Sequence, residues 1–399
     1  MAFRIAVSGL NAATASLDIA GNNIANSSTT GFKAGRAQFS DVFASGSSND
    51  PIGQGVGLSS VTQQFTQGSI NFTDNNLDLA LTGEGFFVLE DVVGTRSYSR
   101  AGAFGVDKDG FIVNPTGQRL VAFQANNGTI TGAVGTMQLS TANINPQASA
   151  TMNVGVNLES TAAAPTAAFD PANPASYNTS TSTTVFDSLG VEHLATLYFR
   201  KTGANAWDTH LRIAGDNAQT TATQSVTFSN TGQLQTAMPV NYGAFSPGTG
   251  ADPFTLAVNY TGTTQLASEF GVNSLDQDGF TTGRLNSVDI DENGIVLARF
   301  TNGQAQAQGQ VALANFSNPQ GLQPIGDTVW AETTSSGTAL VGAPGTASLG
   351  LVQAGALEES NADLAQQLVD VIVAQRNFQA AAQMIQAEDE ITQTIINMR

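Results

Sequence analysis

The chain reads as a mixed, mainly β protein with α-helices at its two ends. The terminal helices are expected to pair as a coiled-coil-like core, with two nested β-rich domains of sandwich or barrel type outside it. Three observations predict this. Apolar residues at heptad spacing occupy both ends of the chain. Short apolar runs separated by turn residues fill most of what lies between. If the two end helices lie together, the chain must run out through one β domain, into an inserted second one, and back.

At the N-terminus Phe3, Ala6, Leu10, Ala13, Leu17, Ala20 and Ile24 step by three and four, large residues alternating with alanine, until Asn26 to Gly31 (NSSTTG) breaks the pattern. At the C-terminus, counting sevens from Leu364 gives Val371, Phe378 and Ile385. The interleaved positions are Leu368, Gln375, Ala382, Asp389 and Ile396. No Gly or Pro follows Ala356, so a long helix is expected within Leu357 to Arg399. Polar groups at Gln375, Asp389 and Thr392 interrupt its stripe. Full burial of a Leu or Phe contributes about 1.5 to 3 kcal/mol, and isolated helices of this length are marginal in water. Two readings follow. The ends pair within one chain, or they stay loose in the free monomer and order by packing on other copies. On the second reading Phe3, Leu10, Leu17, Ile24, Leu364, Leu368, Val371, Phe378, Ala382, Ile385 and Ile396 form a self-assembly seam.

Between the helices, residues 34–69 read as a linker or extended connection. Gly53, Gly55 and Gly57 (PIGQGVG) lack the preceding strand and following helix of a dinucleotide loop, so a linker or turn is expected there. Val61 to Phe72 reads as extended. Leu77, Leu79 and Leu81 alternate with Asp78 and Ala80 like a half-buried strand, and Gly83 and Gly85 turn the chain into Phe86 to Leu89. From Asn145 to Gly283 the texture changes to Thr, Ser, Ala, Pro and Gly, with candidate strands at Thr184 to Phe186, His193 to Phe199, Leu211 to Ile213, Val226 to Phe228 and Phe254 to Tyr260. Arg284 to Gln304 looks like a returning hairpin. Its Asp289, Asp291, Asn293 and Gly294 match half of a calcium loop, but the twelfth position is Phe300 and no helices flank it, so a turn is the reading. The expected domains are 1–33 with 357–399 (helical core), 70–145 with 284–356 (inner β domain) and 146–283 (outer inserted β domain).

Composition excludes several functions. Charged residues make up 12% of the chain, against about 25% in typical domains. A net charge of -18 argues against nucleic acid and disfavours an anionic membrane surface. Cysteine is absent, and His193 and His210 are the only histidines, so neither thiol chemistry nor a His-rich metal site can be built. Ser188 lies near Asp187 and His193 but in no nucleophile elbow, and no carboxylate pair stands out. No enzyme activity, cofactor or metal is expected. The opening MAFRIAVSGL is not an ordinary cleaved signal, and no run reaches the ~18 apolar residues of a membrane span.

Asn22, Asn23, Ile24, Ala25, Asn26, Gly31, Phe32 and Lys33 form an NNIAN…GFK string. It resembles the axial proteins of the bacterial flagellum, the rod and hook family, whose members open with a helix running into such a turn. Leu77 to Glu90 with Tyr98 to Arg100 resembles that family's β domain. Phe186 to Phe199 is similar to the outer domain of its hook members, and Glu359 to Arg399 to their C-terminus. The resemblance implies a structural subunit of a curved, hollow, flexible tube, located outside the cell and exported without a cleaved signal. Its implied partners are other copies of itself, the distal rod protein, the hook cap and hook-filament junction proteins, and the export apparatus. A distal rod protein is the alternative. A secreted carbohydrate-binding adhesin would suit the β-rich middle but leaves both terminal seams without a purpose.

Overall fold

The structure, a computed structural model, describes residues 2–43, 53–216 and 222–397. Residues 44–52 of the expected linker, 217–221 of the middle region and 398–399 of the C-terminal stretch lie outside the described residues. Among the described residues the protein is mainly β with two α-helices, α1 (Ala2–Ala25) and α2 (Leu364–Asn397). It divides into two units, one of Met1–Ser140, Ser287–Ala298 and Ala305–Arg399, the other of Thr141–Asn286 and Arg299–Gln304. No helix among the described residues is long and apolar enough to cross a membrane.

In the first unit, the stretch expected to be a linker contains β1 (Gly35–Phe43) and β2 (Gly53–Gln63), which pair antiparallel. The glycines expected to mark a turn therefore sit in a strand. The reason is close approach: α1 lies against β2, where the Ser8 hydroxyl accepts from Val56 N at 3.2 Å. Gly55 has φ +103°, and a Cβ there would come within 2.0 Å of Ser8 Oγ. Only glycine meets both conditions.

The C-terminal helix begins at Leu364 rather than near Leu357. Ala356–Glu358 pairs antiparallel with β3 (Ile70–Phe72), so those residues belong to a sheet ladder. Asp363 then caps the helix, its Oδ1 accepting from Ala365 N at 2.8 Å and Gln366 N at 3.3 Å. The absence of Gly and Pro between Leu357 and Leu364 permitted a helix; the strand partner decided otherwise.

The main sheet of this unit has Phe86–Glu90 beside Arg119–Asn126, with Arg96–Ser99 and Val329–Ala331 following on one side and Ala305–Val311 on the other. Its central strand is buried on both faces. Phe87 and Leu89 enter one core with Leu81, Leu120 and Val311, whereas Phe86 and Val88 enter another with Tyr98, Phe316 and Trp330. Leu79, Ala80 and Leu81 are likewise all buried, so that strand is not half-exposed as its alternation suggested. Leu285–Ile290 and Ile295–Phe300 form the expected hairpin. Asp291 closes its turn, accepting from Ile295 N at 2.8 Å through Oδ1, and Gly294 has φ +73°.

In the second unit, an antiparallel sheet of Thr179–Phe186, Glu192–Gly203, Ala206–Ile213 and Ala222–Thr227 faces a sheet built on Thr151–Glu159. Phe199, Trp207 and Leu211 from the first meet Val156, Leu158, Tyr242, Leu256 and Tyr260 in one core. Inside it, Tyr242 bonds the Thr209 hydroxyl and, at 2.8 Å, the Tyr260 hydroxyl. His193 is held between Asp187 Oδ2 and the Ala214 carbonyl, both at 3.0 Å. Ser188 instead accepts from Asp252 N at 3.0 Å. These three residues therefore brace loops and do not form a nucleophilic relay.

Candidate functional site

The two termini meet in the first unit. α1 and α2 run antiparallel: Asn23 donates to Gln367 Oε1 at 3.0 Å near one end, and a Cβ on Gly9 would lie 3.8 Å from Ala381 Cβ farther along. The contact is made by small residues seven apart. Ala6, Ala13 and Ala20 of α1 and Ala374 and Ala381 of α2 are all buried, and this lets the two backbones approach closely.

The large seam residues lie elsewhere. Leu10, Leu17, Ile24, Val371, Ala382 and Ile385 are half-buried. Phe3, Leu364, Leu368 and Ile396 are 49 to 66% exposed, and Phe378 is 38% exposed. Val369, Ile372, Val373 and Met384 are exposed as well. Heptad counting did not single these four out, because they lie off the stripe. α2 thus carries apolar side chains around much of its circumference, a pattern proper to a helix surrounded by protein.

The NNIAN…GFK string builds a clamp at the exit of α1. Asn26 N and Nδ2 both donate to Asn22 O, at 3.1 and 3.0 Å, closing the helix end. Asn26 Oδ1 accepts from Thr29 Oγ1 at 3.1 Å. Asn23 is buried and holds β1 from both sides, donating to Gly35 O and accepting from Gly35 N at 2.9 Å each. Ile24 is half-buried and Ala25 exposed, so they continue the helix without joining the polar network. Gly31 has φ +69°; its N–H donates to Glu358 O at 2.8 Å, and a Cβ would come within 2.4 Å of Ala101 N. Phe32 O accepts from Asn361 N at 3.3 Å.

Lys33 is fully buried, and its Nζ donates to Glu358 Oε1 at 2.6 Å and to Thr66 O at 2.8 Å. Gly68 N also donates to Oε1, at 2.8 Å. Arg100 lies on the far side of the carboxylate, Nη1 to Oε2 at 3.6 Å, and is itself buried. Burial holds the Lys33 pKa below its ordinary value; Glu358 opposes the shift and Arg100 adds to it. Burial lowers Arg100 too, again against Glu358. One carboxylate therefore serves two buried cations drawn from different parts of the chain.

Asn361 completes the clamp. Its Oδ1 accepts from Ala34 N at 2.7 Å, and its Nδ2 donates to Gln64 O at 2.7 Å and Thr66 O at 3.0 Å. Neither Glu358 nor Asn361 was singled out by sequence reasoning. Lys33 held the available signal: it is one of three lysines in a chain poor in charge, and a buried lysine requires an acid.

Four family models match the chain. Residues 3–33 match "Flagella basal body rod protein", 80–158 "Flagellar hook protein FlgE/F/G D1 domain", 157–280 "Flagellar basal body protein FlaE D2 domain" and 353–398 "Flagellar basal body rod FlgEFG protein C-terminal". The chain is similar to the flagellar hook protein FlgE of Escherichia coli strain K12, 40% identical over 408 residues with both chains fully covered. It is 39% identical over 418 residues to that of Salmonella typhimurium, again with full coverage of both. The Treponema pallidum protein of that name is 31% identical over 98% of each chain. Among solved structures, Helicobacter pylori flagellar hook protein FlgE2 superposes with a TM-score of 0.56 at 15% identity, covering 72% of this chain and all of that one, a likeness of fold.

Proposed function

Since the chain belongs to the flagellar hook protein FlgE family, we propose that it works as a hook subunit that polymerises through its paired terminal helices into a curved, hollow, flexible tube. The tube joins rod to filament, transmits torque and passes exported subunits. The observation that carries this reading is the uncovered apolar circumference of α2: α1 takes only its alanine stripe, leaving Leu368, Val369, Ile372 and Val373 about half-exposed. Burying each of these against neighbouring helices contributes up to about 1.5 to 3 kcal/mol. α2 is also longer, about 51 Å against about 36 Å for α1. Ile391 and Ile396 near its end are exposed and suited to a further copy.

A head-to-tail contact of this kind that does not close generates an open helical polymer. We read residues 1–33 with 357–399, which carry the two helices, as the coiled-coil-like inner core, with 70–145 and 284–356 as the inner β domain and 146–283 as the outer one. The subunit sits in the flagellar hook and adjoins distal rod, cap and junction proteins. Electron microscopy of concentrated protein tests the seam. Wild type is expected to form tubes, and Leu368→Asp and Phe378→Asp to form none while fluorescence of Trp207 shows the second unit folded. Normal tubes from both variants would remove α2's exposed face from the assembly contact.

A further inference from the structure

In the second unit, residues 161–178 leave the core at Ala162 and then cross the outer face of the four-stranded sheet. Three devices hold them. Phe169 stacks on His210 with ring centroids 3.7 Å apart and planes 8° from parallel. Arg200 Nη2 donates to the Pro165 and Ala167 carbonyls at 3.3 and 3.2 Å. At the base of the segment, on the core side of the sheet, Lys201 Nζ donates to the Ser160 and Ala162 carbonyls. Tyr177, at the far end of the segment, packs edge-on against Tyr198 at 4.9 Å.

His210 is buried, and its hydrogen bonding is one-sided. Nδ1 meets Thr223 Oγ1 at 2.8 Å, while Nε2 is buried with no hydrogen-bond partner. A neutral imidazole can satisfy its single N–H at Thr223. The charged ring carries two N–H groups and finds one acceptor, and burial of an unpaired donor costs about 1 to 3 kcal/mol, more for a charged group. We propose that residues 161–178 form a strap latched by neutral His210, which stays closed at neutral pH and opens when the imidazole takes up a proton.

The surroundings support this direction. Burial holds the imidazole pKa below its ordinary value; Asp208 opposes that and Arg200 adds to it. Asp208 is itself engaged by the Ser225 hydroxyl at 2.6 Å. Arg212, two residues along the same strand face, adds a second cation on that side. The neighbouring strand Ala222–Thr227 presents Thr223 and Ser225 here. From the strap come Phe169 and Tyr177, with Asp170 turned to its own backbone at Ala172 N, 2.9 Å. Opening the strap would uncover Tyr198 and His210 on a sheet face whose Leu194 is already exposed.

Amide exchange on the full-length chain in dilute solution, corrected for intrinsic rates, tests the latch. As pH falls from about 7.5 to about 4.5, through and below the ordinary imidazole value of about 6.5, strap amides are expected to lose up to about tenfold protection per unit. Strands Glu192–Gly203 and Ala206–Ile213 should hold their protection. His210→Phe should keep the strap closed throughout, and Phe169→Ala should open it at neutral pH. Constant strap protection in wild type, wild-type pH dependence in His210→Phe, or a closed strap in Phe169→Ala would each overturn the proposal.

Discussion

Replacing Glu358 by Gln probes the clamp most directly. The change keeps shape and leaves an oxygen able to accept from Gly68 N, but it removes the carboxylate charge set against Lys33 Nζ at 2.6 Å and Arg100 Nη1 at 3.6 Å. All three side chains are at most 4% exposed, so solvent cannot screen the two cations left behind. Breaking a buried ion pair by removing one partner costs about 3 to 5 kcal/mol, a large part of the roughly 5 to 15 kcal/mol that holds a domain folded. At about 2 to 4 °C per kcal/mol for a unit of this size, the first unit's melting point should fall by roughly 6 to 20 °C. The two tryptophans provide the assay, because Trp330 lies in the first unit and Trp207 in the second. With Trp207→Phe as background, fluorescence follows the first unit alone; with Trp330→Phe it follows the second. The first transition should drop and the second stay put. Lys33→Met added to Glu358→Gln removes one stranded cation and should recover part of the loss. A first-unit shift of under about 2 °C, or an equal shift in both units, would refute the argument that this carboxylate holds the termini together.

Two further outcomes follow from the same geometry. Gly31→Ala should destabilise the first unit by about 1 to 3 kcal/mol or more, read in the same fluorescence assay, because φ is +69° and the new Cβ would meet the Ala101 backbone at 2.4 Å; a neutral effect would mean the Gly31 turn is not under the constraint described. In the second unit, burial pushes the Tyr242 pKa up to about 12 and Tyr260 well above its usual value. Both are acids with raised folded pKa values, so their stability contribution is intact below the unfolded value of about 10 and is lost as pH rises toward 12. Denaturant titrations of the second unit should show falling stability over that window, with a smaller fall in Tyr242→Phe; a flat profile would contradict their burial.

Both helices, several of the strands and the family were legible from local features. α1 could be read from its step of three and four, and the middle strands from alternation at Phe254, Leu256 and Val258. These signals are local because periodicity records which side of an element faces apolar surroundings, whatever those surroundings are. The NNIAN…GFK string was likewise visible as a string, though not the contacts that give each residue its work.

What the amino-acid order determined by itself was therefore the kind of the two terminal elements and the chemistry denied to the chain, through absent cysteine, scarce histidine and a strong negative charge. Tertiary structure alone decided partners. It placed Glu358 in a ladder with β3 instead of in a helix and brought Lys33 to it across 325 positions. It also chose Ala6, Ala13 and Ala20 over Leu10 and Leu17 as the apolar residues α1 buries most fully. The physical reason is that a helix stripe specifies only that some apolar surface is needed. Which residues meet it is set by how closely two backbones can approach, and by where a buried charge can find its opposite.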